Sequence, residues 1–308
     1  MNLRNMLVSP IPRARRGIRW RRFLQENIPA YLYLLPALFV FAMYLWWPIV
    51  QAFLVAFQHV DLIHPPTWNG LDNFRKVLSD PVFFKAWGNA FYYTVLSLFF
   101  GYMAPVILAI ALNEMRWKSF FRTAFYLPGI LPGVVTALLW AYILAPGSDG
   151  LANSILRLLG LPPVPWLQSG RTAMGAFVLM SVWAGAGGAA LMYLAALQGI
   201  PAHLYDAAEI DGANFWQRMI HITLPQIRGV MLLFLAGQII GTMQLFTEPY
   251  VVTGGGPANA TVTPMLLLYR YAFDQFDFGA ANAMGLITFF VLSGLSFWYV
   301  RIILRASQ

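Results

Sequence analysis

Cysteine is absent from the 308 residues, and charge is scarce: Asp, Glu, Lys and Arg make up 10% of the chain, against about 25% in soluble domains. Without cysteine there is neither a disulfide framework nor a thiolate metal site. The histidines are His59, His64, His203 and His221, and none of their spacings is that of metal ligands, so no metal is expected. No G-x4-G-K-[ST] segment occurs, which excludes ATP binding by a phosphate-binding loop. No cluster of His, Asp or Glu suggests a membrane-embedded enzyme, so no catalytic residue is assigned. What abounds is apolar, 59% of the chain. A soluble fold cannot hide so much apolar surface, so lipid must be the solvent for much of it.

The net charge of +8 would suggest nucleic acid if the basic residues formed one face of a soluble domain. They do not: seven of the twenty precede residue 23 and most others sit in short loops beside apolar runs, so no nucleic-acid partner is expected. Arginines before an apolar run superficially suggest a secretory signal. The run continues from about residue 28 to 57, far beyond a signal core, with no small-residue cleavage site after it. The reading is therefore a basic tail over 1–27, which also touches anionic lipid, followed by a transmembrane domain over 28–308.

Six spans are expected, at about 30–56 (broken by Pro36 and Pro48), 88–112, 123–145 (carrying Pro128 and Pro132), 172–197, 229–252 and 279–301. Each approaches the twenty residues a bilayer needs. Segments 58–86, 146–171 and 253–278 read as polar loops, and Asn113–Arg122 as a shorter basic one. With both termini inside, fourteen of the twenty basic residues become cytosolic, which satisfies the positive-inside rule. Gly129-x3-Gly133 and Gly237-x3-Gly241 have the spacing of close helix contacts.

The organising stretch is the polar interval 199–227. Pro201 suits a first helical turn, Gly212 a left-handed helix end, and Pro225 a stop. Two short helices at about 201–211 and 214–222 follow, bent at Asp211-Gly212. Phe215, Trp216, Met219, Ile220 and Ile222 make the second too apolar for a solvated loop. Gly185-Ala-Gly-Gly-Ala-Ala190 matches a loose dinucleotide pattern but lies inside a span with no preceding strand, so it is rejected.

Asp206-Ala207-Ala208, Gly212, Ile222 and Leu224-Pro225 fall at the spacing of a known signature. The stretch resembles the cytosolic Glu-Ala-Ala signature of the membrane subunits of binding-protein-dependent ATP-binding cassette importers, with Asp206 in place of the usual Glu. Trp183–Pro201 resembles the family's fourth span. Phe246-Thr-Glu-Pro-Tyr-Val-Val-Thr-Gly-Gly-Gly-Pro257, with Asn259 and Thr261, and Trp68-Asn-Gly-Leu-Asp-Asn-Phe74 look like the carbohydrate branch, the maltose and glycerol-3-phosphate type. The resemblance covers about residues 30–300.

The resemblance implies an all-α integral membrane protein of the type I importer fold in a bacterial or archaeal cytoplasmic membrane. It implies a second homologous subunit, a dimeric ATPase that alone holds ATP and Mg, and an extracytoplasmic solute-binding protein. Tyr205, Asp206, Ala207, Ala208, Asp211, Gly212, Phe215, Trp216, Leu224 and Pro225 would form the ATPase-coupling surface. Maltose-type sugar positions fall on Ala184, Gly185, Gly188, Gln238, Gly241, Thr242, Leu245 and Thr247, with Gln244 beside them. Several aromatic and Asn positions of that site are Gly, Thr or Leu here, so the partner subunit would supply more of the contacts. Sugar or oligosaccharide is the expected cargo, and glycerol-phosphate or polyol the alternative. The rival from another class, an ion-coupled secondary transporter, would need intramembrane ion-coupling acids or an inverted repeat. Glu248 is the one acid in an apolar span region, and it lies near the span's outer end.

Overall fold

The computed structural model describes residues 20–61, 63–147 and 150–306. The described residues fall into two units that divide between Ala52 and Phe53. In the first, α1 (Trp20–Phe41) continues through a π-helical turn (Ala42–Trp46) into α2 (Trp47–Val55). The tail expected over 1–27 is thus helical from Trp20, and residues 1–19 lie outside the described residues. Pro36 and Pro48 do not break this helix. A proline ring clashes with the carbonyl four residues back in α geometry; the π turn ends two residues before Pro48 and provides the wider ring that relieves the clash.

In the second unit β1 (Gln58–His59) pairs antiparallel with β2 (Thr67–Trp68), and α3 (Asp72–Ser79) follows. The helix α4 (Pro81–Glu114) runs for 34 residues, or about 51 Å at 1.5 Å per residue, longer than the roughly 30 Å bilayer core. Its start is well specified: Pro81 occupies the first turn, and the Asp80 carboxylate accepts the Val82 N–H at 2.7 Å. Its buried residues (Phe83, Ala86, Ala90, Tyr93, Thr94, Ser97, and after a gap Pro105, Val106, Ala109, Leu112) recur mostly at intervals of three or four. They make one stripe, while Phe84, Phe91, Phe99 and Ile107 on other faces are exposed, as suits a lipid-facing surface.

That stripe threads all three apolar clusters of the unit. Phe83 and Ala86 pack with Val77, Val262, Leu266 and Tyr271. Tyr93 packs with Leu167, Met174, Phe177 and Leu245. Val106, Ala109 and Leu112 pack with Ala190, Leu194, Leu197 and Ile227. The two ends of α4 therefore mark the two ends of the unit.

The expected loop Asn113–Arg122 shrinks to three residues, because α4 persists to Glu114 and α5 (Lys118–Tyr126) starts at once. A 3-10 turn (Leu127–Ile130) leads to α6 (Gly133–Ile143), and the pair bends by 98°. Span 3 is therefore broken, not straight. Pro132 forces Leu131 out of the helical region, to φ −67°, ψ 135°. Segment 146–171 contains α7 (Leu151–Leu158), and α8 (Ala173–Gln198) follows. Among the described residues five helices are long and apolar enough to cross a membrane, six if the bent pair is one span.

Beyond α8 come α9 (Ala202–Ile210), α10 (Phe215–Arg218), a π turn (Met219–Thr223) and α11 (Leu224–Met243). Pro225 does not stop the second short helix, which runs unbroken into α11 as one 29-residue helix, Phe215–Met243. The π turn again ends two residues before the proline, and the Leu224 N–H reaches the Met219 carbonyl. Span 5, expected to continue to 252, ends at Met243. A π turn (Pro249–Thr253), α12 (Pro264–Tyr269), a π turn (Arg270–Asp274) and α13 (Phe278–Ala306) complete the chain.

The two small-residue motifs behave differently. A Cβ on Gly129 would lie 3.0 Å from the Ala184 carbonyl oxygen, and one on Gly187 only 1.8 Å from that of Phe125, so the Pro-bent pair crosses α8 in backbone contact. Gly237 and Gly241 have nothing within 4 Å of their Cβ positions. They make no close helix contact among the described residues, because they border a cleft. Gly187→Leu is therefore expected to destabilise the purified protein by about 1–3 kcal/mol through overpacking. Gly185→Ala, whose Cβ meets nothing within 4 Å, should leave the thermal midpoint in detergent nearly unchanged. Equal midpoints for the two variants would contradict this crossing.

Candidate functional site

Segments 56–80 and 254–277 gather at the Pro81 end of α4. Asn89 Nδ2 donates to the Asn259 and Val262 carbonyls, both at 2.9 Å, and Lys85 Nζ to that of Ala258 at 2.6 Å. Lys76 pairs with Asp277 at 2.6 Å. The Gly254-Gly-Gly-Pro257 loop turns on positive φ at Gly254 (55°) and Gly255 (87°). Arg270 closes it from outside, donating to the Gly254 carbonyl at 2.7 Å and to Asn259 Oδ1 at 3.2 Å. Gly170 meets Ala260, so segment 146–171 reaches the same end.

The 199–227 segment lies at the other end, beside Asn113 and Glu114. Its bend is built from two adjoining caps. The Gly212 N–H bonds the Glu209 carbonyl at 3.0 Å and the Ala213 N–H that of Ala208 at 2.8 Å, a Schellman closure requiring the left-handed φ of 74° found at Gly212. Asn214 then caps α10 reciprocally with Gln217, at 3.0 and 2.7 Å. The sequence Asp211-Gly-Ala-Asn214 thus ends one helix and starts the next within four residues.

No residue of α9 is buried. Asp206, Ala207, Asp211, Gly212 and Pro225 are exposed, while Tyr205, Ala208 and Leu224 are half-buried. Phe215 and Trp216 pack edge to face, with ring centroids 5.4 Å apart, and both are exposed. Ile210, not singled out from the sequence, is 88% exposed. Its signal was an isoleucine between Glu209 and Asp211 on a polar helix. An apolar and acidic knob of this kind presents groups for a partner and no constellation for bond-making chemistry.

Between α4, α8 and α11 lies a cleft of about 440 Å³. Gln238, Gly241, Thr242 and Leu245 converge on it with Tyr93 and Ser181. Gly185 lines an adjoining space of about 90 Å³ with Ser97, and Gln238 and Ser181 border both. Tyr93 and Ser181 hold each other at 2.6 Å. The Thr242 hydroxyl donates to helix carbonyls of Gln238 (2.7 Å) and Ile239 (3.1 Å), which leaves it only as an acceptor toward the cleft. Gln244 is elsewhere: its Nε2 donates to the Ile240 carbonyl at 3.1 Å, and it borders a separate cleft of about 620 Å³ with Thr288 and Ser293. Gly188 and Thr247 are half-buried; Thr247 turns its methyl toward Gly133. Ala184 is taken up by the Gly129 crossing. Glu248 is half-buried just before the π turn at Pro249. Tyr93, Ser97 and Ser181 escaped the sequence reading because the rotation of α4 and α8 about their axes is set by packing.

The family model described as "Binding-protein-dependent transport system inner membrane component" matches residues 101–307. The chain is 35% identical over 283 residues to a probable ABC transporter permease protein, YurN, of Bacillus subtilis, with 90% of this chain and 96% of that one covered. It is 32% identical over 289 residues to the arabinooligosaccharides transport system permease protein AraP of the same organism, with 92% of each covered. A crystal structure of a bacterial alginate ABC transporter, in complex with alginate pentasaccharide-bound periplasmic protein, contains a chain with the same fold. Its TM-score is 0.84 at 25% identity, covering 94% of this chain and 99% of that one. By sequence and by fold, this multi-pass chain belongs to the inner-membrane permease components of binding-protein-dependent transport systems.

Proposed function

We propose that this permease carries a neutral sugar or oligosaccharide inward, forming the path with a second homologous subunit. The observation that carries the coupling half of this reading is the α9–α10 knob: unburied, bent at a left-handed glycine, and at the end of α4 opposite the folded loops. Residues 199–227 dock on a separate ATPase dimer that alone binds ATP and Mg. Asp206 meets a basic group there, Ala207 and Ala208 permit close approach, and Ile210, Phe215 and Trp216 supply apolar contact. The charge bias places this end and both termini in the cytosol. A loaded extracytoplasmic binding protein then meets the opposite end. Because only interactions that differ between two states shift their balance, nucleotide on one side and binding protein on the other must each favour one arrangement of the spans.

The cleft supports the cargo class. No Asp, Glu, Lys or Arg occurs in α8, nor in α11 beyond Arg228, so nothing there would neutralise an anionic solute. The cleft offers an amide at Gln238 and hydroxyls at Tyr93 and Ser181 beside the Phe234 ring, which suit sugar hydroxyls and a sugar face. The AraP permease, named for arabinooligosaccharides, agrees with that class.

Co-purification in mild detergent tests the reading. An ATPase should accompany the chain, and its activity should rise with a sugar-loaded binding protein; a chain that purifies and transports alone contradicts it. Gly212→Pro, which loses the left-handed φ and an N–H, should insert normally but abolish ATP-driven uptake, so normal uptake contradicts the role of the bend. Gln238→Ala should leave the ATPase bound and lower sugar uptake about three- to tenfold, the range of one lost hydrogen bond. Unchanged uptake removes Gln238 from the path.

A further inference from the structure

The helix α9 is tied to the rest of the chain by one side-chain hydrogen bond among the described residues: the hydroxyls of Tyr205 and Thr223 lie 2.9 Å apart. Thr223 is 5% exposed and is the last residue of the π turn Met219–Thr223. Its oxygen also lies 3.4 Å from the Arg218 carbonyl, five residues back, and in the shorter Tyr205–Thr223 pair either hydroxyl can donate. The phenol therefore reaches from the exposed helix to the one widened turn at the foot of α11.

That turn has slack for a reason. Pro225 lacks an N–H, and in α geometry its ring would press on the His221 carbonyl. The five-residue ring from Met219 to the Leu224 N–H avoids this. Beside the Tyr205–Thr223 pair lies a cavity of about 360 Å³ bordered by Asn113, Glu114 and Arg218, so close packing does not fix α9 against the end of α4. Farther along the same helix, α11 carries Gln238, Gly241 and Thr242 into the cleft.

We propose that Tyr205 is a positioning residue: its bond to Thr223 fixes α9 against the π turn, so that a displacement of α9 is passed to α11 and the cleft at that turn as well as along the chain through α10. The proposal rests on the reading of 199–227 as the ATPase-docking segment. With a phenyl ring at 205, α9 still sits on the ATPase but slips against the turn, so part of its movement is lost before α11 and more ATP is hydrolysed per sugar carried.

The test is the number of ATP molecules hydrolysed per sugar transported by the reconstituted complex of both permeases, ATPase and sugar-loaded binding protein. Tyr205→Phe and Thr223→Val should each raise that ratio about three- to tenfold, the range of one lost hydrogen bond. The double variant should be no worse than either single, and Thr223→Ser, which keeps the hydroxyl, should match the unsubstituted protein. Unchanged ratios in both single variants, or effects that add in the double, overturn the proposal. So does a Tyr205→Phe complex that loses its ATPase on purification, since Tyr205 would then be a docking residue. Failure of the unsubstituted chain to retain any ATPase would instead refute the docking reading, and the latch with it.

Discussion

The packing of α4 against α8 sets the remainder of the second unit. Ala86, Ala90 and Ala109 are fully buried along α4, as is Ala190 on α8. In a lipid solvent, apolar surface gains little by leaving the surroundings, so helices associate through close approach and interhelical polar contacts. Ala109 on α4 beside Ala190 on α8, and Gly187 against the Phe125 carbonyl, provide that approach. Tyr93–Ser181 supplies a polar contact between α4 and α8, and the Tyr102 hydroxyl, donating to the Met231 carbonyl at 2.7 Å, one between α4 and α11. Because α4 runs the length of the unit, it holds the folded loops at one end and the bent helix pair at the other. Whatever passes between those ends passes alongside it.

Prolines shape the helices around that axis, and they act in three ways that the residue type alone does not distinguish. Pro81 starts a helix and Pro132 breaks one by dictating the conformation of Leu131. Pro48 and Pro225 are carried within helices by π turns ending two residues before each. In the third, widening one turn spares the proline ring its clash and lets the helix continue. This is why the helix boundary expected at Pro225 was misplaced, whereas the bend at Gly212 was legible. A glycine following a polar helix and preceding an Asn with Gln three residues later leaves few alternatives to a left-handed turn and a capping box.

The same contrast holds for the functional regions. The bent helix pair of 199–227 was readable because its information is local: spacing and turn chemistry follow from neighbours in sequence. The span count was readable from length and hydropathy, but the 98° break in span 3 and the early end of span 5 depend on what each helix meets. The cleft was readable only in part. Gln238, Gly241, Thr242 and Leu245 share a face of α11, yet Gln244 points to a different cleft and Thr247 to Gly133. The hydroxyls on α4 and α8 that complete the wall come from distant segments, whose facing is decided by the packing of small residues across helices.

The central claim is that access to the α11 cleft changes sides under the control of nucleotide bound elsewhere. The absence of cysteine makes one experiment clean: Gly241→Cys, at a position with nothing within 4 Å of its Cβ, probed with a membrane-impermeant thiol reagent in oriented vesicles of the full complex. The account predicts labelling from the cytosolic face at rest, and from the opposite face once ATP and sugar-loaded binding protein are trapped on the complex. Labelling that ignores nucleotide, or that never changes side, would contradict it.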